Sequence, residues 1–463
     1  MNPPQTPALP ANFLTAVRPD RAARHAAGLD RRREYPLEAH AALPQPDERR
    51  DANALLQEQD QGREPGLVPL RYERMGANPF AYLRGAAAVM ASDLSLLPNT
   101  GISTQLCGDA HLANFGLFAT AERRLIFDLN DFDETLPGPF EWDVKRLAAS
   151  TLVAGRDLGL SGRQSRRAVR AGVRAYRETM AHLSTLSTMA AWTARVDAEV
   201  LTRRLRRTGL GKAVVKATAS SQGRTSQTAA LKLTEVVDGR RRFRNDPPVL
   251  MRVPDPELTG QRSGLATAYQ EYLGTVPIDL VALLARFAFT DLAHKVVGVG
   301  SVGTRALLLL LESGDQEPLV LQMKQAGASV LERYLGPGPF EHAGQRVVSG
   351  QKALQAAGDP FLGWCRGSER APFDFYVRQL HDHKAAIDLT KLDKESLRLY
   401  AAVCGGVLAR AHARVADAAK ITGYLGDTDT FDRAVAEFAV GYADITERDH
   451  ARLVSASPSQ PEA

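Results

Sequence analysis

Two short apolar runs that end in charge constrain this chain more than any other feature. "RRLIFDLNDFDET" carries Leu125, Ile126 and Phe127 into a group of acids, and "LVLQMKQA" carries four apolar residues up to Lys324. Each run is strand-sized, and each would bury charge that needs a partner. The lysine is informative because this chain has 47 arginines and only 11 lysines.

Just ahead of the first run stands "CGDAHLANFG", with Asp109, His111 and Asn114 in one tight segment. Phosphoryl transfer needs a base for the acceptor hydroxyl and oxygen ligands that hold magnesium against nucleotide phosphates. Asp109 fits the base, with His111 beside it as a catalytic or loop-orienting group. Asn114, five residues on, fits a metal ligand. Asp131, which opens the Asp131-Phe132-Asp133 triplet, fits the second ligand, and Asp128 competes with it.

Ahead of the second run stands "VGVGSVGT", in which Gly298, Gly300 and Gly303 form G-x-G-x-x-G. The pattern occurs before a helix in dinucleotide folds and before a strand in kinases. Here "TRALLLLLE" follows, so the loop fits a phosphate cover and Lys324 a phosphate contact. Glu332, Glu341 and Gln345 are candidate partners of that lysine. Segment 295–326 reads as strand, glycine loop, strand, turn, strand, and 373–380 as a further strand. Segments 78–96, 141–160, 162–207 and 264–297 read as helices, 217–229 as a polar loop, and "HDHK" at 381–384 as a solvated turn.

These motifs resemble the catalytic core of protein-kinase-like phosphotransferases, especially the aminoglycoside and choline kinase branch, with G-D-x-H-x-x-N and an acid-ended strand. Asp143, which opens a helix in "WDVKRLA", has the spacing of that family. The order is inverted: the catalytic loop precedes the glycine loop. The resemblance therefore implies an α+β, helix-rich, two-lobed kinase-like fold in circularly permuted form. The stretches "NPFAYLRGAA", "CGDAHLANFG", "PFEWDVKRLAAS", "LQMKQA" and "GQRVVSGQ" also resemble a bacterial domain-of-unknown-function family, number 2252.

On this reading the chain divides into an Arg/Pro-rich arm (1–66), a helical lobe with catalytic loop, metal site and an insertion (67–290), a β lobe covering the nucleotide (291–385), C-terminal helices (386–450) and a disordered tail (451–463). The expected activity is ATP- and magnesium-dependent transfer to a hydroxyl of an unidentified small molecule or protein. The alternatives are AMP transfer, a nucleotide-binding scaffold without turnover, and a hydrolase using the acids at 128–134. Arg71, Arg74 and Arg84 are candidates to contact an anionic acceptor. A net charge of +5 over 463 residues does not mark a nucleic-acid binder. Three scattered cysteines, no signal-like start and no apolar run of 18 residues fit a cytoplasmic protein without membrane contact.

Overall fold

In a computed structural model, the described residues are 17–222, 226–296, 298, 300, 302–367, 372–380 and 384–456. Five helices come first: α1 (Arg21–Glu34), α2 (Ala52–Asp60), α3 (Val68–Gly76), α4 (Pro79–Gly85) and α5 (Ala87–Ser95). Local chemistry sets their starts. Asp20, Asp51 and Asn78 each accept a hydrogen bond from a first-turn N–H, and Pro79 occupies a position where its missing donor costs nothing.

Two antiparallel pairs follow. β1 (Ser103–Leu106) and β4 (Leu136–Pro139) form one, enclosing the second, β2 (Phe115–Ala119) with β3 (Leu125–Leu129). The turns between these strands carry the candidate acids. Next come α6 (Glu141–Asp157), α7 (Gly162–Thr185), α8 (Thr188–Trp192), α9 (Ala198–Leu205), α10 (Gly209–Gln222) and α11 (Ser226–Leu233). A reciprocal Ser161–Gln164 capping box opens α7, and α6 is buried along nearly all of its length.

A small ribbon, β5 (Thr234–Val237) with β6 (Arg240–Phe243), leads to β7 (Leu250–Arg252), α12 (Asp255–Leu273) and α13 (Ile278–Leu284). The chain then runs through β8 (Phe287–Lys295), β9 (Ala306–Ser313), β10 (Pro318–Ala326), α14 (Glu332–Leu335), α15 (Ala343–Leu354), β11 (Gly363–Arg366) and β12 (Asp374–Gln379). It ends in α16 (Lys394–Ala413), α17 (Ala418–Leu425) and α18 (Thr430–Ala456).

The architecture is α+β and helix-rich, about 55% helical. One antiparallel six-stranded sheet has the order β11-β12-β10-β9-β8-β7. One face of this sheet packs Leu309, Leu311, Leu321, Met323 and Val377 against Leu258 and Tyr272 of α12 and Leu280 and Leu284 of α13. Part of the other face, through Leu308, Leu310 and Val320, is covered by Ala230 of α11 and Phe243 of β6.

The largest core joins distant parts of the chain. Leu147, Leu152 and Tyr176 of α6 and α7 pack with Leu408 of α16 and with Phe431, Phe438 and Tyr442 of α18. α16 lies along α7, where a Cβ on Gly405 would stand 2.0 Å from the Gly172 carbonyl oxygen, so only glycine permits the crossing. No helix among the described residues is long and apolar enough to cross a membrane.

Several elements differ from the sequence reading. Residues 287–295 form β8 rather than helix, and with β7 the sheet begins at Leu250, upstream of 291. The stretch at 217–229 is largely helix, in α10 and α11, with 223–225 outside the described residues. The N-terminal arm packs into the body, α1 against α17. Of the expected tail, 451–456 complete α18, and 457–463 lie outside the described residues. In "HDHK", 381–383 also lie outside them.

Candidate active-site cleft

A cleft of about 810 Å³ opens between the sheet and the β1–β4 loops. Asp109, His111, Asn114, Asp131, Asp133, Gly298 and Gly300 line it. The loop after β1 reaches it through an αL turn at Gly108, φ +86°, where a Cβ would stand 2.2 Å from the Glu134 carbonyl oxygen. Asp143 fixes the same loop from below. It accepts hydrogen bonds from the Cys107 N–H at 2.7 Å and the Gly108 N–H at 3.0 Å. His412 stands 3.2 Å behind Asp143 and is itself 2.9 Å from the Tyr176 hydroxyl.

Asp109 is gripped from one side. Arg146 donates from Nε to Oδ1 at 2.8 Å, while Oδ2 lies 3.6 Å from the His111 imidazole. Burial pushes the His111 pKa down to about 4, which keeps it neutral near pH 7, and among the described residues its Nδ1 has no hydrogen-bond partner.

Asn114 donates from Nδ2 to the carbonyls of Asp109 and Asp131, both at 3.0 Å. Its amide orientation is thereby set, and the buried Oδ1 is left without a partner among the described residues. Asp131 keeps half of its side-chain surface open to the cleft. An orphaned amide oxygen beside an open carboxylate fits magnesium, which takes few protein oxygens and completes its octahedron with water and phosphate. Among the described residues, no three His, Cys, Asp or Glu side chains form a metal-holding cluster.

Lys324 reaches this pair from the sheet. Its Nζ is ion-paired to Asp133 and lies 4.0 Å from Asp131. The Tyr376 hydroxyl, across the β10–β12 register, donates to the other Asp133 oxygen at 2.8 Å. Burial acts downward on the Lys324 ammonium, but the two carboxylates outweigh it and hold the pKa above its ordinary value. Burial acts upward on Asp133, yet Lys324 and Tyr376 outweigh it and lower the carboxyl. Asp131 rises, through enclosure in the cleft and the charge of Asp133.

Three expectations are corrected here. Asp128 does not face the cleft: it is buried against Arg410 of α16, and its two oxygens also accept the N–H groups of Leu129 and Ala356. Its strand position turns it into the core, whereas Asp131 lies beyond the strand end. The partner of Lys324 is Asp133 rather than Glu332, Glu341 or Gln345. Glu332 instead receives the Ser329 N–H at 3.0 Å. Arg71 is fully buried, with Asp60 and Gln59 as partners.

The glycine turn joins β8 to β9. Gly303, unlike Gly298 and Gly300, is not among the residues that line the cleft, and its carbonyl accepts the Glu64 N–H at 2.7 Å. Arg63 donates to the Val302 carbonyl, Arg74 to the Gly298 carbonyl at 2.6 Å, and Glu64 pairs with Arg305 at 2.6 Å. The segment from Arg63 to Arg74 therefore clamps the turn. Arg63, Arg146 and the pairing of Asp133 with Lys324 escaped the sequence reading because long-range contacts give each its place.

A model of a family described as an uncharacterised protein conserved in bacteria, DUF2252, matches residues 63–456. The chain belongs to this family. No curated protein and no solved structure in the comparisons matches it. The family match takes in every cleft residue from Arg63 onward, including Asp109, Asn114, Asp131 and Lys324.

Proposed function

We propose that this chain is an ATP- and magnesium-dependent phosphotransferase on a permuted, two-lobed kinase-like plan, acting on a hydroxyl acceptor. The observation that carries the reading is the meeting of Lys324 with the Asp131–Asp133 pair across 191 residues. Strand order adds support. A glycine turn joins the first two strands of a β8–β9–β10 meander, the lysine stands on the third, and a helix follows before the last two strands. A glycine loop ahead of a strand and a lysine on the third strand are parts of the kinase phosphate-binding template, and this order supports the reading.

Asp109 Oδ2 accepts the proton of the acceptor hydroxyl. The hydroxyl oxygen then bonds to the terminal phosphorus as the bond from that phosphorus to the leaving oxygen breaks, and ADP departs. Arg146 holds Asp109 so that one oxygen stays available. Asn114 Oδ1 and Asp131 would hold magnesium, which neutralises phosphate charge during transfer. Lys324, freed from Asp133 by the incoming phosphates, contacts them, and the backbone at Gly298 and Gly300 covers them.

The test follows ATP labelled at the α or γ position, with cell extract as the acceptor source. Transfer of γ label by wild type, together with a magnesium-dependent thermal shift by ATP that Asp131→Asn loses, is expected. Transfer of α label assigns AMP transfer instead. Binding without any transfer leaves the scaffold reading.

A further inference from the structure

Two further cations line the cleft, Arg378 and Lys384, and the function proposed above gives them no task. Arg378 stands on β12, two residues beyond Tyr376, and its register partner on β10 is Gln322, two residues before Lys324. Strand alternation and register put these four side chains on one face of the sheet. Lys324 pairs with Ala306, where β9 leaves the glycine turn, and Gln322 pairs with Leu308. The Gln322–Arg378 rung therefore lies about 7 Å farther from the turn than the Lys324–Tyr376 rung. Arg378 donates from Nε to Gln322 Oε1 at 3.0 Å, which orients the guanidinium. Lys384 follows β12, and its neighbour Ala385 is tied to β2. The Ala385 N–H donates to the Leu117 carbonyl at 2.9 Å, and the Leu117 N–H to the Ala385 carbonyl at 2.8 Å. Lys324 is ion-paired to Asp133, but among the described residues no carboxylate lies within ion-pair distance of Arg378 or Lys384. Asp131 and Asp359 act on both cations from farther off, and Asp133 also acts on Arg378. Asp359 itself accepts the N–H groups of Phe361 and Gln379. Burial, with the charge of Arg378 behind it, pushes the Lys384 ammonium down to about 7, so the two cations stand close enough to repel.

Charge and position together select the ligand group, and this inference rests on the function proposed above. A triphosphate carries more negative charge than one divalent ion offsets, and an arginine fork and a lysine ammonium are donors that phosphate oxygens take. The terminal phosphate lies with Asp109 and the glycine turn, and Arg378 stands a rung farther from that turn. We propose that Arg378 and Lys384 hold the inner phosphates of the nucleotide, those nearer the nucleoside. The same grip then acts on ATP before transfer and on ADP after it.

Inorganic pyrophosphate, ADP and a non-hydrolysable ATP analogue are the probes, each titrated calorimetrically into the full chain with magnesium present. Wild type should bind all three, and the analogue should displace pyrophosphate. Arg378→Gln and Lys384→Gln should each weaken pyrophosphate and ADP by about tenfold, the scale of a charged hydrogen-bond pair. Arg378→Lys should recover part of the loss, which a packing role would not produce, and melting curves check the fold of every variant. A loss for ADP with pyrophosphate untouched, or a wild type that binds ADP and not pyrophosphate, would give these cations to the base. Pyrophosphate that stays bound beside the analogue would give them to the acceptor. Each of these results overturns the inference. Variants that bind ADP and pyrophosphate as wild type does overturn it as well and leave the kinase reading standing. A wild type that binds neither ADP nor the analogue removes both.

Discussion

Replacing Asp128 by Asn separates structure from chemistry within the acid cluster. The Asp128 and Arg410 side chains are 2% and 3% exposed, and Asp128 also accepts two backbone N–H groups. The substitution leaves a buried guanidinium without its counter-ion, which costs about 3–5 kcal/mol. With a urea slope of about 3 kcal/mol per molar, the midpoint falls by roughly 1–1.7 M. Asp131→Asn should act in the opposite way. Its side chain is half open and stands beside Asp133, so losing its charge relieves repulsion and leaves the midpoint unchanged or higher. The assay pairs urea unfolding, followed by tryptophan fluorescence, with magnesium-dependent ATP binding below the transition. The expected result is a lower midpoint with normal binding for Asp128→Asn, and the reverse for Asp131→Asn. If Asp128→Asn keeps its midpoint and loses magnesium-dependent binding, Asp128 is the ligand and the assignment of its pocket is wrong.

Asp109→Asn should keep magnesium–ATP binding and lose transfer by a factor of about 10²–10⁴, read with labelled ATP. Lys324→Met removes the ammonium that now neutralises Asp133 and Asp131. Magnesium alone should therefore raise the melting temperature of this variant more than that of wild type, while ATP binding weakens. His40 is fully buried, 2.7 Å from the Tyr424 hydroxyl, and burial, aided by Lys145, keeps its pKa well below 6.5. The unfolded chain takes up this proton below about pH 6.5 and the folded chain does not, so stability falls as pH drops through that range. Denaturant titrations at several pH values should show a slope smaller in His40→Gln by about one proton, roughly 1.4 kcal/mol per pH unit.

The sequence exposed what depends on neighbours along the chain. Asp109, Asn114 and Asp131 stand out because their spacing is local, and Lys324 because an apolar strand surrounds it. It could not rank Asp128 against Asp131, since the difference lies in Arg410, 282 residues away. β8 was hidden for a different reason. A register shift between Phe289 and Asp291 interrupts its two-residue alternation, and the buried Asp291 is matched by Arg252 and the Phe243 N–H. In α10, small residues such as Ala217 and Ala219 present little apolar signal, although Leu210 and Val214 are buried. Charges that select partners across the fold leave no periodic trace.

The core that packs α6 and α7 against α16 and α18 sets a timetable for synthesis. The acid loops and their supporting helix are translated early, yet Arg410, His412 and Phe431 come last. At ordinary rates of about 5–20 residues per second, the 315 residues between Glu141 and Ala456 take roughly 15–60 s to emerge. For most of that interval Asp128 lacks its counter-ion, Arg410, and α6 lacks the cover over its apolar surface. The sheet, whose strands fall between those halves, is complete at Gln379 and can form first. A nascent chain of this kind presents a finished sheet beside an open helical face, and a chaperone that shields apolar helices would have its longest opportunity there.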